Sequence, residues 1–112
     1  MASPALTREA LESIGVKYSK NGYIIASAKN LSRLLSTFGF SKVTMSKFDG
    51  QTDGMGAHED TFLGEAKAKA YEIICADRFG RGIAVYESTA TEKACISVGD
   101  CCYDVNFYVS DL

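Results

Sequence analysis

Glu65-Ala66-Lys67-Ala68-Lys69-Ala70-Tyr71-Glu72-Ile73-Ile74-Cys75-Ala76-Asp77 admits two readings, and the choice between them decides the extent of the sheet. Residues 65–70 alternate alanine with charge, a composition that favours helix. Residues 71–75 are rich in β-branched and aromatic side chains, which favour a strand. Arg78-Phe79-Gly80-Arg81 follows as a compact turn, and Gly82-Ile83-Ala84-Val85-Tyr86 beyond it reads as a strand. That succession favours a strand over 68–77, with 78–81 as the tip of a hairpin.

The segments on either side are clearer. Leu31, Leu34, Leu35 and Phe38 fall at i, i+3, i+4 and i+7 and make one apolar helical face. Ser27 or Asn30 caps its start, and Gly39 follows its last periodic residue, with Phe40 expected to pack back on Leu35 in a Schellman ending. Residues 42–48 alternate as a strand around Val43 and Met45. Nearer the N-terminus, residues 16–26 have the pattern of a hairpin. Asn21-Gly22 supplies its type I′ turn, and Tyr18 faces Ile25. Ser3-Pro4 opens a short first helix with the stripe Leu6, Ala10, Leu11, Ile14, and Gly15 ends it. At the other end, residues 93–109 read as a hairpin turning at Gly99-Asp100, where Tyr103, Val105, Phe107 and Val109 alternate with Cys102, Asp104, Asn106 and Tyr108. The expected fold is α+β, with two helices packed on one face of a mostly antiparallel sheet of hairpins, as a single domain over residues 1–112.

The totals agree with a packed domain. The chain has 112 residues, 46% of them hydrophobic, with 12 Phe and Tyr together and 1 Pro, so disorder along its whole length is excluded. No apolar run near Met1 could serve a signal peptide, and no stretch approaches the roughly 20 apolar residues of a membrane helix. The expected location is the cytoplasm, with Cys75, Cys95, Cys101 and Cys102 as thiols. The net charge of −2 is unevenly spread. Residues 1–48 hold seven basic and two acidic side chains, and residues 49–112 hold five basic and twelve acidic. Folding both parts into one body mixes those charges on its surface.

Four features are candidates for chemistry or recognition. The stretch 49–60 places Asp49, Gln51, Asp53, Gly54 and Asp60 at positions 1, 3, 5, 6 and 12, and so resembles an EF-hand calcium loop. The resemblance implies oxygen ligands from Asp49, Gln51, Asp53 and Asp60. Gln at position 3, Asp at position 12 and a strand before the loop depart from the pattern, and turn-forming Asp and Gly in a solvated loop account for the same residues. His58 beside Glu59 and Asp60 is the one histidine and the one candidate proton carrier or nitrogen ligand there. The cysteines lack zinc spacing, and strand-borne buried thiols are the expectation. Arg78, Phe79 and Arg81, exposed on a hairpin tip, are residue types that anchor protein interfaces.

No nucleophile-and-base arrangement, cofactor fingerprint or strong metal motif is present, and the acidic pI of about 5.3 disfavours direct nucleic-acid binding. By elimination the expected function is non-enzymatic protein binding, with Arg78, Phe79 and Arg81 in contact with another protein. A concrete version is a small phage- or mobile-element-type inhibitor, anti-defence or anti-CRISPR-like, that occupies a site on its partner. The alternatives are a calcium-responsive module built on 49–60 and a small enzyme or ligand binder using His58. No membrane role is expected. The oligomeric state is left open, because a terminal strand over 101–109 could be a sheet edge.

Overall fold

The computed structural model describes residues 5–17, 19, 21–47, 59–76, 82–100 and 102–110. These form three helices and six strands. Helix α1 (Arg8–Ser13) starts at Thr7, whose hydroxyl accepts the Ala10 N–H at 3.1 Å. The helix therefore begins beyond Ser3-Pro4, and the threonine takes the capping role expected of Ser3. It closes as a Schellman motif. Gly15, at φ +81°, donates to Glu12, and Val16 donates back to the Leu11 carbonyl at 2.9 Å.

That closure accounts for the shortened first hairpin. Val16 is fully buried as the last residue of the α1 motif, not as a strand partner. The turn that follows is closed by Gly22 donating to Ser19 at 3.0 Å and Ser19 donating to Tyr23 at 2.8 Å. Gly22 has φ +83°, whereas Asn21 stays at negative φ, so the two do not form a type I′ loop. Strand β1 (Tyr23–Ile24) pairs forward with β4 (Ile83–Tyr86), through Tyr23↔Ala84 and Ile24↔Ile83. Tyr18, expected opposite Ile25, lies outside the described residues.

Helix α2 (Ala28–Thr37) matches its apolar stripe. Leu31, Leu34 and Leu35 are buried, and the Ser27 hydroxyl accepts the Asn30 N–H at 3.1 Å. Its end differs from a Schellman turn. Phe38 is extended, and Gly39 does not take positive φ. Phe40 instead opens β2 (Phe40–Lys47), and its ring meets Phe107 at 5.2 Å between centroids.

Helix α3 (Leu63–Ala76) replaces the strand expected over 68–77. The physical reason is the period. Ala66, Ala70, Ile73 and Ile74 recur at i, i+4, i+7 and i+8, and all four are buried. A strand would place Glu72 on the same face as Ala70 and Ile74. In the helix Glu72 reaches solvent and accepts from Lys69 at 3.2 Å. With a helix in place of the first strand, the hairpin expected around 78–81 does not form, and residues 77–81 themselves lie outside the described residues.

The sheet is antiparallel throughout the described residues, in the order β1-β4-β5-β6-β2-β3, where β3 is Glu59–Asp60, β4 is Ile83–Tyr86, β5 is Cys95–Gly99 and β6 is Tyr103–Val109. Strand β6, expected as a possible edge, lies inside the sheet between β5 and β2. Its turn is held by the Asp100 carboxylate, which accepts the N–H groups of Cys102 and Tyr103 at 2.7 Å each. All three helices share one hydrophobic core with a single face of the sheet, made by Ile24, Val43, Ile83, Val85, Ile96, Val98, Val105, Phe107 and Val109. The result is an α+β layer structure, with three helices where two were expected.

Candidate functional site

Alternation along each strand sends every second side chain away from the helices. Register then assembles those side chains into rows. One row runs Lys42–Tyr108–Cys95–Tyr86 across β2, β6, β5 and β4. The next runs Asp60–Thr44–Asn106–Ser97–Ala84–Tyr23. A third holds Ser46, Asp104 and Gly99. The helix-free face is thus small and polar at its centre and bounded by tyrosines and a lysine.

Tyr23 is 46% exposed and Tyr86 53%, and Ile25, just past β1, is 71% exposed. Tyr23 and Tyr86 lie near each other at the β1–β4 margin, and Ile25 aligns with the other end of β4. Burial pushes the Tyr86 phenol above its ordinary pKa, helped by Tyr23, Asp104 and Cys95 nearby. A hollow of about 570 Å³ opens on the same face, with Cys95 and Asn106 in its lining beside Tyr86 and Tyr108 and with Ser41, Lys42, Glu92 and Lys93 around them.

Cys95 is the one described thiol that is strand-borne and buried. Cys75, on α3, and Cys102, in the β5–β6 turn, are exposed. Cys101 lies outside the described residues. Burial pushes the Cys95 thiol up to about 12, with the Asp104 carboxylate adding to the shift and a hydrogen bond from the Phe107 backbone opposing it. Its S–H donates to Asn106 Oδ1 at 3.8 Å. At pH 8 almost no Cys95 thiolate exists, so brief iodoacetamide labelling of the folded chain should modify Cys75 and Cys102 and spare Cys95, read by peptide mass spectrometry. Because the folded pKa exceeds the unfolded one, native Cys95 keeps a proton that the unfolded chain gives up. Its contribution to stability is therefore intact below pH 9 and lost as pH rises towards about 12.

Two hydroxyls on this face, Thr44 Oγ1 and Ser46 Oγ, are buried without a hydrogen-bond partner. A buried unsatisfied polar group costs about 1–3 kcal/mol. Thr44→Val keeps the shape and removes the orphan group, so thermal unfolding should shift upward by about 1 kcal/mol of stability.

Most residues singled out in the sequence fall elsewhere. Asp49, Gln51, Asp53, His58, Arg78, Phe79 and Arg81 lie outside the described residues. Lys47 pairs with Tyr103, and the Gly99 N–H reaches the Gly82 carbonyl at 2.9 Å, so Lys47 and Gly82 both lie at the end of the sheet where β5 turns into β6, with β5 and β6 between them. Asp60, the last proposed calcium ligand, sits on β3 opposite Thr44, with its carboxylate 3.6 Å from Lys42 Nζ. Glu59 is opposite Met45, and Glu65 accepts from Thr61 at 3.1 Å. Among the described residues no three His, Cys, Asp or Glu side chains converge as a metal site would require.

The residues of the helix-free face are hard to find in the sequence because they are scattered along the strands of the sheet and no local motif marks them. The signal was present in the phase opposite to the core on β6, namely Asp104, Asn106 and Tyr108. No family model, curated protein or solved structure matches this chain. Among the described residues no helix is long and apolar enough to cross a membrane.

Proposed function

We propose that this chain is a non-enzymatic binding domain that contacts another protein through the helix-free face of its sheet. The observation that carries this reading is the pair of exposed tyrosines, Tyr23 and Tyr86, on neighbouring strands at one margin of a face that no described helix covers. Tyrosine is enriched in interface cores because its ring offers a large contact area and its hydroxyl a hydrogen bond. The segment 78–81, with Arg78, Phe79 and Arg81, leaves the opposite end of β4 from Tyr86 and is a second contact in this reading. An inhibitor that occupies a site on a partner, of the phage or mobile-element type and acting in the cytoplasm, is the finer form of the proposal. It draws on the small size and the acidic balance of the chain.

The test is competition. The domain is immobilised in its native lysate, and soluble wild-type chain is compared with Tyr23→Ala/Tyr86→Ala as competitor. Both side chains are exposed, so the double variant should keep its fold to within about 0.5 kcal/mol per site. It should displace the captured partner at least about tenfold less well, as expected when exposed aromatic anchors of a contact are removed. Equal displacement by both chains would remove this face from the contact.

A further inference from the structure

Cys95 is small, and it stands between two tyrosines. In the row Lys42–Tyr108–Cys95–Tyr86, neighbouring strands are about 4.8 Å apart. The Tyr108 and Tyr86 backbones therefore lie two spacings, about 9.6 Å, from each other, with only a thiol between them. Side chains on a sheet stand roughly perpendicular to it. A flat ring in contact with an aromatic on each side needs about 3.5 Å per contact, or about 7 Å in all. The gap over Cys95 accommodates one such ring.

The floor of this gap is uncharged. Cys95 is buried, its S–H is directed to Asn106 Oδ1, and the thiol stays protonated at neutral pH. The rim carries charge. Lys42 continues the row beyond Tyr108, and Lys93 lies two residues before Cys95; both line the hollow together with one opposing carboxylate, Glu92. Lys42 is partly engaged by Asp60 at 3.6 Å, whereas Lys93 forms no salt bridge with a described residue. A β-bulge between Phe40 and Lys42 sets Ser41 at the same rim. The volume of about 570 Å³ falls within the range of about 300–1,000 Å³ typical of small-ligand sites.

We infer that this hollow is a binding site for a small planar aromatic carboxylate, with the ring held between Tyr86 and Tyr108 over Cys95 and the carboxylate held by Lys93. The site stands independently of the protein-contact reading, because it is tested on the isolated full chain with a small probe.

The experiment is a residue-resolved NMR titration of the labelled chain with 4-hydroxybenzoate. Two control probes accompany it: 4-hydroxybenzamide, which keeps the ring and lacks the charge, and inorganic phosphate, which keeps charge and lacks the ring. Saturable shifts at Tyr86, Lys93, Cys95 and Tyr108 are expected for the carboxylate in the millimolar range or below. The amide should bind about tenfold more weakly, which corresponds to about 1.4 kcal/mol. Phosphate should not saturate the same resonances. Lys93→Ala and Tyr86→Ala alter exposed side chains, and each should weaken carboxylate binding at least about fivefold with the remaining spectrum unchanged. Absence of saturable shifts through the millimolar range, equal affinity for the amide, saturation by phosphate alone, or unchanged affinity in Lys93→Ala would each overturn the inference.

Discussion

Phe107→Ala should cost about 3–5 kcal/mol, the usual range for emptying a buried phenylalanine site. Phe107 is fully buried on β6, with Val43 and Ile96 as its cross-strand neighbours and the Phe40 ring 5.2 Å away. Two strands and the packed helices set the walls of the cavity, so little of it can collapse. Domains of this size have only about 5–15 kcal/mol of stability in total. The midpoint of thermal unfolding should therefore fall by at least about 12 °C. Phe62→Ala is the control. Phe62 is 81% exposed, and its loss should change stability by no more than about 0.5 kcal/mol. Comparable losses in the two variants would contradict the placement of the core.

Gly22→Ala should be the other severe substitution, although it adds a single methyl group. Gly22 holds φ +83°, where a side chain costs roughly 1–2 kcal/mol. A Cβ there would also meet the Val85 carbonyl oxygen at 2.7 Å, and backbone cannot yield as a flexible side chain would. The close approach exists because the Gly22 carbonyl accepts the Val85 N–H at 2.7 Å, the bond that ties the α1–β1 connection to β4. Strain and the displaced hydrogen bond together should cost about 2 kcal/mol or more, read as a lower urea midpoint at constant slope. No change in midpoint would show that β1 docks on β4 differently.

The same glycine marks how far the sequence could be read. Asn21-Gly22 correctly signals a turn with positive φ, but the partner of the emerging strand is sixty residues away on β4, and a local hairpin rule cannot reach it. The 93–109 hairpin and the α2 stripe were legible because their partners are local or their period is unbroken. Helix α3 was misread for a different reason. Its buried stripe begins with two alanines, Ala66 and Ala70, which contribute little hydrophobic signal while allowing the helix to lie close to the sheet. Tyr71, Ile73 and Ile74 then favoured a strand by propensity, and tertiary packing overrode that preference. The candidate face was hidden for a related reason. Lys42, Tyr108, Cys95 and Tyr86 are scattered along the chain and become one row only through strand register.

The proposed partner contact on the helix-free face is read most directly by site-specific crosslinking. A photo-crosslinking amino acid is placed singly at position 86 on that face, at position 72 on the exposed side of α3 and at position 79, and each full-length chain is irradiated in native lysate. A discrete covalent adduct is expected from position 86, with or without one from position 79, and none above background from position 72. Adducts from position 72 or 79 with none from position 86 would contradict it and place the contact away from the sheet.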